Sequence, residues 1–235
     1  MVAPRPNTKT LLIKTDKNNP DCIVSKGEYE GQSDISQISI ICNGGKGLCY
    51  ICEDAFKDMQ KLNSAVIMAE VVVICKNAFA DDSQLSTLTI KTTKGVFIDD
   101  RAIANAENLS SAALYGRFIV LSPDVFYNRP KKSNIKATCY SCISGDKCCF
   151  SPYSGIGAIH LEFDEDGLPF PNIAPMEEKT GFLGHDLRDA QAQRKEINEY
   201  MKTNHPEVFP QSKKGVLMKI FCKLGGEKEG IVLGK

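Results

Sequence analysis

Apolar residues along the chain recur on a long period. The segments ICEDAF from Ile51, ICKNAF from Ile74, IDDRAI from Ile98 and LSPDVF from Leu121 align at intervals of about 23 residues. A second pattern keeps step with the first: KLNSAVI ending at Ile67, QLSTLTI at Ile90, NLSSAAL at Leu114 and KSNIKA at Ala137. Its apolar positions are Leu62, Ala65 and Ile67, then Leu85, Leu88 and Ile90, then Leu109, Ala112 and Leu114. In the last copy Lys132 takes the first place, leaving Ile135 and Ala137. Upstream, ISQISI supplies Ile35, Ile38 and Ile40, so the ladder is expected to start there, with GGKG accounting for extra length before Ile51.

Each unit then reads as an extended segment whose alternate residues point inward, a turn, and a short helical piece around the AF pair. One unit cannot close a core. Stacked units bury a continuous one, which predicts a solenoid of four or five coils. Ala55, Ala78 and Ala102 would let the helical piece approach the sheet, with Phe56, Phe79, Ile103 and Phe126 filling the space between.

Beyond residue 155 the period is lost. GAIHLEF from Gly157 predicts one more strand, and DEDGLPFPNIAP a Pro/Gly-rich loop. HDLRDAQAQRKEINEYMKTNH predicts a helix with Asp186 as N-cap, Leu187, Ala190, Ile197, Tyr200 and Met201 near helical spacing, and Pro206 beyond its end. GVLMKIFCKL predicts a strand buried on both faces, and GGEKEGIVLGK a closing hairpin strand. The expected organisation is an N-terminal cap over 1–34, a repeat array over 35–155, and an α/β cap with one long helix and strands over 156–235.

The recurring I-x-x-x-A-F followed by L-x-x-L-x-I resembles the BspA-type leucine-rich repeats, over roughly residues 35 to 150. IDDRAI lacks the Phe, LSPDVF lacks the Ala, and CISGDKCCF makes a degenerate fifth copy. The resemblance implies an α/β leucine-rich-repeat solenoid of short strands and short helical turns. It also implies protein–protein interaction, often on a cell surface or between a microbe and its host. In such repeats the strand residues between the inward positions form a concave sheet face. Here they are Ser64, Val66 and Met68; Thr87, Thr89 and Lys91; Ser111, Ala113 and Tyr115; and Asn134, Lys136 and Thr138. Small and polar groups with one aromatic suit a protein or peptide partner, although an ordinary solvated sheet is an equal reading.

Composition narrows the function further. The chain has 235 residues, 42% of them hydrophobic, with 29 basic and 29 acidic side chains cancelling. No long-range field gathers nucleic acid, and no apolar run reaches the length of a membrane helix. Ten cysteines are many for an intracellular protein. Most lie beside apolar residues, as in YICEDAF and VVICKNAF, where reduced thiols pack as small hydrophobes. Reduced thiols favour the cytoplasm or delivery into a host cytosol, and surface exposure would follow if an export signal had been removed.

Cys139, Cys142, Cys148 and Cys149 form C-x2-C-x5-C-C, which offers zinc four soft ligands and gives a zinc-stabilised adaptor as one alternative. The adjacent pair fits poorly, because neighbouring side chains in an extended segment point to opposite faces. A disulfide among them and ordinary core packing stay open, and the primary expectation is a chain with no cofactor. Catalysis has no motif to rest on. There is no G-x-S-x-G, Walker loop, dinucleotide fingerprint or HExxH, and the histidines are His160 in a strand and His185 and His205 around the helix. Asp164, Glu165 and Asp166 before Gly167 lack the spacing of a calcium loop. The expected absence of enzyme activity leaves one alternative, an effector with a site in residues 155–235. Oligomeric state is not encoded in any of these features.

Overall fold

The computed structural model describes residues 9–122, 124–128, 134–145, 158–162 and 180–209. Among the described residues are nine strands and one α-helix: β1 (Lys9–Lys14), β2 (Cys22–Val24), β3 (Ile35–Ile41), β4 (Leu48–Ile51), β5 (Ser64–Ile74), β6 (Thr87–Ile98), β7 (Ser111–Leu121), β8 (Asn134–Gly145), β9 (Ala158–Glu162) and α1 (Thr180–Asn204). The helix crosses between two compact units, residues 1–195 and 196–235. All strand pairs are parallel.

The pairs form two ladders that share the long strands. The first runs β1-β3-β5-β6-β7-β8-β9, and the second runs from β2 to β4 and into β5. A register irregularity divides each long strand: Ala69 pairs Thr92 in the first ladder, whereas Val71 pairs Gly95 in the second. The same break recurs between Gly116 and Phe118. The loop containing GGKG sits at this corner, between Ile41 and Leu48, so the predicted excess lengthens one corner and leaves both ladders in register.

A β-solenoid is therefore the architecture, and its interior is built from rows of equivalent residues. Ile40, Ile67, Ile90 and Leu114 form one inward row, while Val24, Ile51, Ile74, Ile98 and Leu121 form another. All are buried. The Leu62, Leu85 and Leu109 row and the Ala55, Ala78 and Ala102 row read from the sequence occupy successive coils as expected, each fully buried. Tyr29, Phe56 and Phe79 stack on one another with ring centroids 5.2 and 5.0 Å apart.

The AF segments are turns and not the short helical pieces predicted. Two residues per turn, four apart, hold left-handed backbone: Asp54 and Asp58, Asn77 and Asp81, Arg101 and Asn105, Asp124 and Asn128. A left-handed residue cannot continue a right-handed helix. Successive N–H groups then divide between two jobs. Ala55 and Lys57 donate within the turn, to Cys52 and Asp54, whereas Phe56 and Asp58 donate to Ala78 and Ala80 of the next coil. The turns thereby make a third hydrogen-bonded column. Asn and Asp tolerate this conformation, and their side chains reinforce it: Asn105 Nδ2 donates to Asp81 Oδ1 at 2.7 Å and Asn128 Nδ2 to Asn105 Oδ1 at 3.1 Å.

The array also begins earlier than Ile35. Strand β1 pairs β3 in the first ladder, and β2 pairs β4 in the second. Gly27 and Gly31 hold the two left-handed places, and the N–H groups of Gly27, Tyr29 and Gly31 donate to Glu53, Ala55 and Lys57. The segment expected as an N-terminal cap is thus a coil. At the other end β9 extends the first ladder. Helix α1 begins at Thr180, so Asp186 lies inside it and not at its N-cap. The segments 163–179 and 210–235, including the expected closing strands, lie outside the described residues.

One turn residue breaks the apolar rule. Asp82 stands where Met59 and Ala106 stand in adjoining coils and is buried. Its Oδ1 accepts the Met59 N–H at 2.7 Å, while Oδ2 has no partner among the described residues. Burial pushes its carboxyl well above the ordinary range, the Met59 N–H pulling it part of the way back. A raised carboxyl holds its proton more tightly folded than unfolded. Its stabilising contribution is therefore complete below about pH 4 and is lost as pH rises through the folded value. Asp82→Asn keeps the acceptor and removes the ionisation, so its melting temperature should exceed wild type at neutral pH and depend less on pH. An unchanged slope of melting temperature against pH would show that Asp82 does not carry that dependence.

Candidate functional site

Parallel register sets the outward residues of the first ladder in three rows. One contains Thr10, Gln37, Ser64, Thr87 and Ser111; the next Leu12, Ser39, Val66, Thr89 and Ala113; the third Lys14, Ile41, Met68, Lys91 and Tyr115. Rows of neighbours about 4.8 Å apart form because adjacent parallel strands have that spacing. The nine residues expected on β5, β6 and β7 come together as one grid. Asn134, Lys136 and Thr138 continue the three rows by backbone register with Ser111, Ala113 and Tyr115. Their side chains lie outside the described residues. His160 follows Lys136 in the middle row by the same criterion.

Sequence reasoning missed the first two strands of this surface. Alternation in KTLLIK and ISQISI could have placed Thr10, Leu12, Lys14, Gln37, Ser39 and Ile41 outward, but only the buried isoleucines of ISQISI were read. The additions matter because they supply apolar surface: Leu12 is 53% exposed and Val66 is 37% exposed. Polar groups surround them. Thr10 Oγ1 donates to Gln37 Oε1 at 3.2 Å, and Lys91 Nζ lies 5.8 Å from the centre of the Tyr115 ring. Such a face can meet an extended or folded polypeptide with aromatic, aliphatic and cationic anchors.

The second ladder differs. In its outward row Tyr50, Val73 and Phe97 are buried, and Ile23 and Val120 at either side are half-buried. Arg194 of α1 explains part of this cover, since its guanidinium lies 5.9 and 5.8 Å from the Tyr50 and Phe97 ring centres and its Nη2 is 2.9 Å from Asp99 Oδ2. A guanidinium near two ring faces and paired to a carboxylate is a part-buried anchor.

Most cysteines with described side chains lie in the interior. Cys22, Cys42, Cys49 and Cys52 are buried, Cys75 is half-buried, and all five are free thiols. Cys52 and Cys75 follow the paired Ile51 and Ile74 and share one repeat position, as expected. Cys22, Cys42 and Cys49 converge, with their Sγ atoms within 4.8 Å of one another. No sequence spacing marks this group, because the ladder and not the local chain brings it together. Cys139 and Cys142 lie in β8, with side chains outside the described residues, as are Cys148 and Cys149 entirely.

The BspA type leucine-rich repeat region matches residues 24–161 in six copies. The chain belongs to this family. The match starts at Val24, in agreement with the coil that carries Gly27 and Gly31, and extends into β9. Comparison with curated proteins and with solved structures gave no match. Leucine-rich repeats build interaction surfaces and are generally non-catalytic, so family and fold together indicate a protein-interaction module. Among the described residues no helix is long and apolar enough to cross a membrane.

Proposed function

We propose that this BspA-type repeat array binds a protein or peptide partner on the outward face of its first ladder. The observation that carries the reading is the contrast between the two ladders. The central outward residues of the second, Tyr50, Val73 and Phe97, are buried, with Ile23 and Val120 half-buried at either side, whereas those of the first leave Leu12, Val66 and Lys91 exposed beside Tyr115. A partner laid across the strands would meet the Thr, Ser and Lys side chains as a polar surround and the apolar residues with Tyr115 as anchors. Zero formal net charge supports recognition by local complementarity over long-range steering.

Lys91→Ala combined with Tyr115→Ala should weaken partner retention at least about tenfold, equivalent to about 1.4 kcal/mol, with little change in melting temperature. The comparison uses immobilised wild type, this double variant, and Arg101→Ala with Tyr127→Ala. The latter breaks the 5.1 Å cation–ring contact on the turn column instead. Proteins kept by wild type and the turn variant but lost by the Lys91/Tyr115 variant support the proposed face. Loss with the turn variant alone would place the interface on the turn column.

A further inference from the structure

We propose that Cys22, Cys42 and Cys49 form a buried site for one soft, thiophilic cation of the zinc or copper(I) class, held by three thiolates. The sulfurs meet the first requirement: a cation in their plane, with metal–sulfur bonds of about 2.3 Å, needs sulfurs about 4 Å apart, and all three lie within 4.8 Å of one another. All three residues are buried. On binding, each thiol gives up its proton to solvent and its sulfur lone pair to the metal, with no change of oxidation state.

Comparison between coils separates this group from ordinary packing. Cys22 pairs Cys49, and Cys49 pairs Val72, which pairs Val96. Later coils thus fill the same inward row with valine and then with Ile119. Cys42 follows Ile41, the partner of Met68, and so stands where the next coil has Ala69. The Cys22–Cys49 row turns aliphatic in the later coils and the Cys42 row continues with Ala69 and Thr92, yet the first coils place sulfur at each. The loop with GGKG adds a local device that the other coils lack: the N–H groups of Gly45, Lys46 and Gly47 all point at the Cys42 carbonyl, at 2.7, 3.0 and 3.4 Å. Those bonds pin the residue that completes the trio.

A buried thiolate with only thiol partners is costly, and a cation offsets its charge directly.

The test uses full-length protein purified under reducing conditions, analysed for bound metal, stripped with chelator, and titrated separately with zinc, copper(I) and cadmium. Cadmium reports through its thiolate charge-transfer absorption. Two variants divide the cysteines: Cys22→Val with Cys49→Val, which copies the later coils, and Cys139→Ser, Cys142→Ser, Cys148→Ser with Cys149→Ser. The quadruple variant should keep one cadmium equivalent and melt at lower temperature after chelation. The valine pair should lose that equivalent, and its melting temperature should not respond to chelator. If the valine pair does not fold, Cys42→Ala, which copies Ala69, replaces it with the same expectation. Tighter retention of zinc or of copper(I) assigns the metal within the class. The site is refuted if the valine pair titrates like the quadruple variant, if the quadruple variant shows no thiolate absorption, or if mass analysis finds a disulfide joining any two of the three.

Discussion

Phe56→Ala should destabilise the repeat array by about 3–5 kcal/mol, the usual cost of deleting a buried phenyl ring. Phe56 is fully buried and lies between two other rings, Tyr29 and Phe79, so its loss removes both stacking contacts and leaves a void. Relaxation around the void is limited because the backbone on both sides is tied: the Phe56 N–H donates to Ala78, and Tyr29 donates to Ala55. Ile103 fills the same row two coils further on, which makes Phe56→Leu the milder control. Urea unfolding followed by circular dichroism measures both. Equal midpoints for Phe56→Ala and wild type would show that the ring column contributes little.

Gly47→Ala should cost at least about 3 kcal/mol, at or beyond the upper end for overpacking. A Cβ on Gly47 would lie 1.8 Å from the Pro20 carbonyl oxygen and 2.6 Å from its carbon. Both are backbone atoms, and the same carbonyl accepts the Thr15 hydroxyl at 2.6 Å, so neither side moves freely. The loop must shift, and with it the N–H groups that hold Cys42. Gly44→Ala serves as the contrast. Gly44 has φ +62 and no atom within 4 Å of an added Cβ, so only the left-handed backbone is penalised, by about 1 kcal/mol. Thermal melting that ranks the two substitutions in the opposite order would contradict the close approach at Pro20.

The inward rows were legible because burial repeats with the coil. Ala55, Ala78 and Ala102, and Leu62, Leu85 and Leu109, face identical surroundings in successive coils, so one constraint writes one residue class at each place. The turns were misread for a related reason. An AF pair suits a helix, and the residues that forbid one differ from coil to coil: Gly27, Asp54, Asn77, Arg101 and Asp124 share left-handed backbone but no common side-chain chemistry. The first coil hid behind Tyr29 in place of Phe and behind the lengthened corner that delays Ile51. The run VVVI at Val71 to Ile74 went unread as a strand buried on both faces, and Arg194, which lies over the Tyr50 and Phe97 rings that flank Val73, comes from far along the chain. The thiol group escaped because three separate strand and loop positions build it. Of the proposed face, the alternation within each strand was readable, and the neighbours across strands became visible only with the register.

The corner between the two ladders has a further consequence. Residues in excess of the common repeat, whether around GGKG, between Thr92 and Gly95, or between Cys139 and Cys142, all enter at this bend. Insertions and deletions there change neither ladder, so a gene for such an array can drift in length at one edge of every coil while the rest stays in phase. Loops of unequal size projecting along that edge would give related proteins distinct profiles on a shared scaffold.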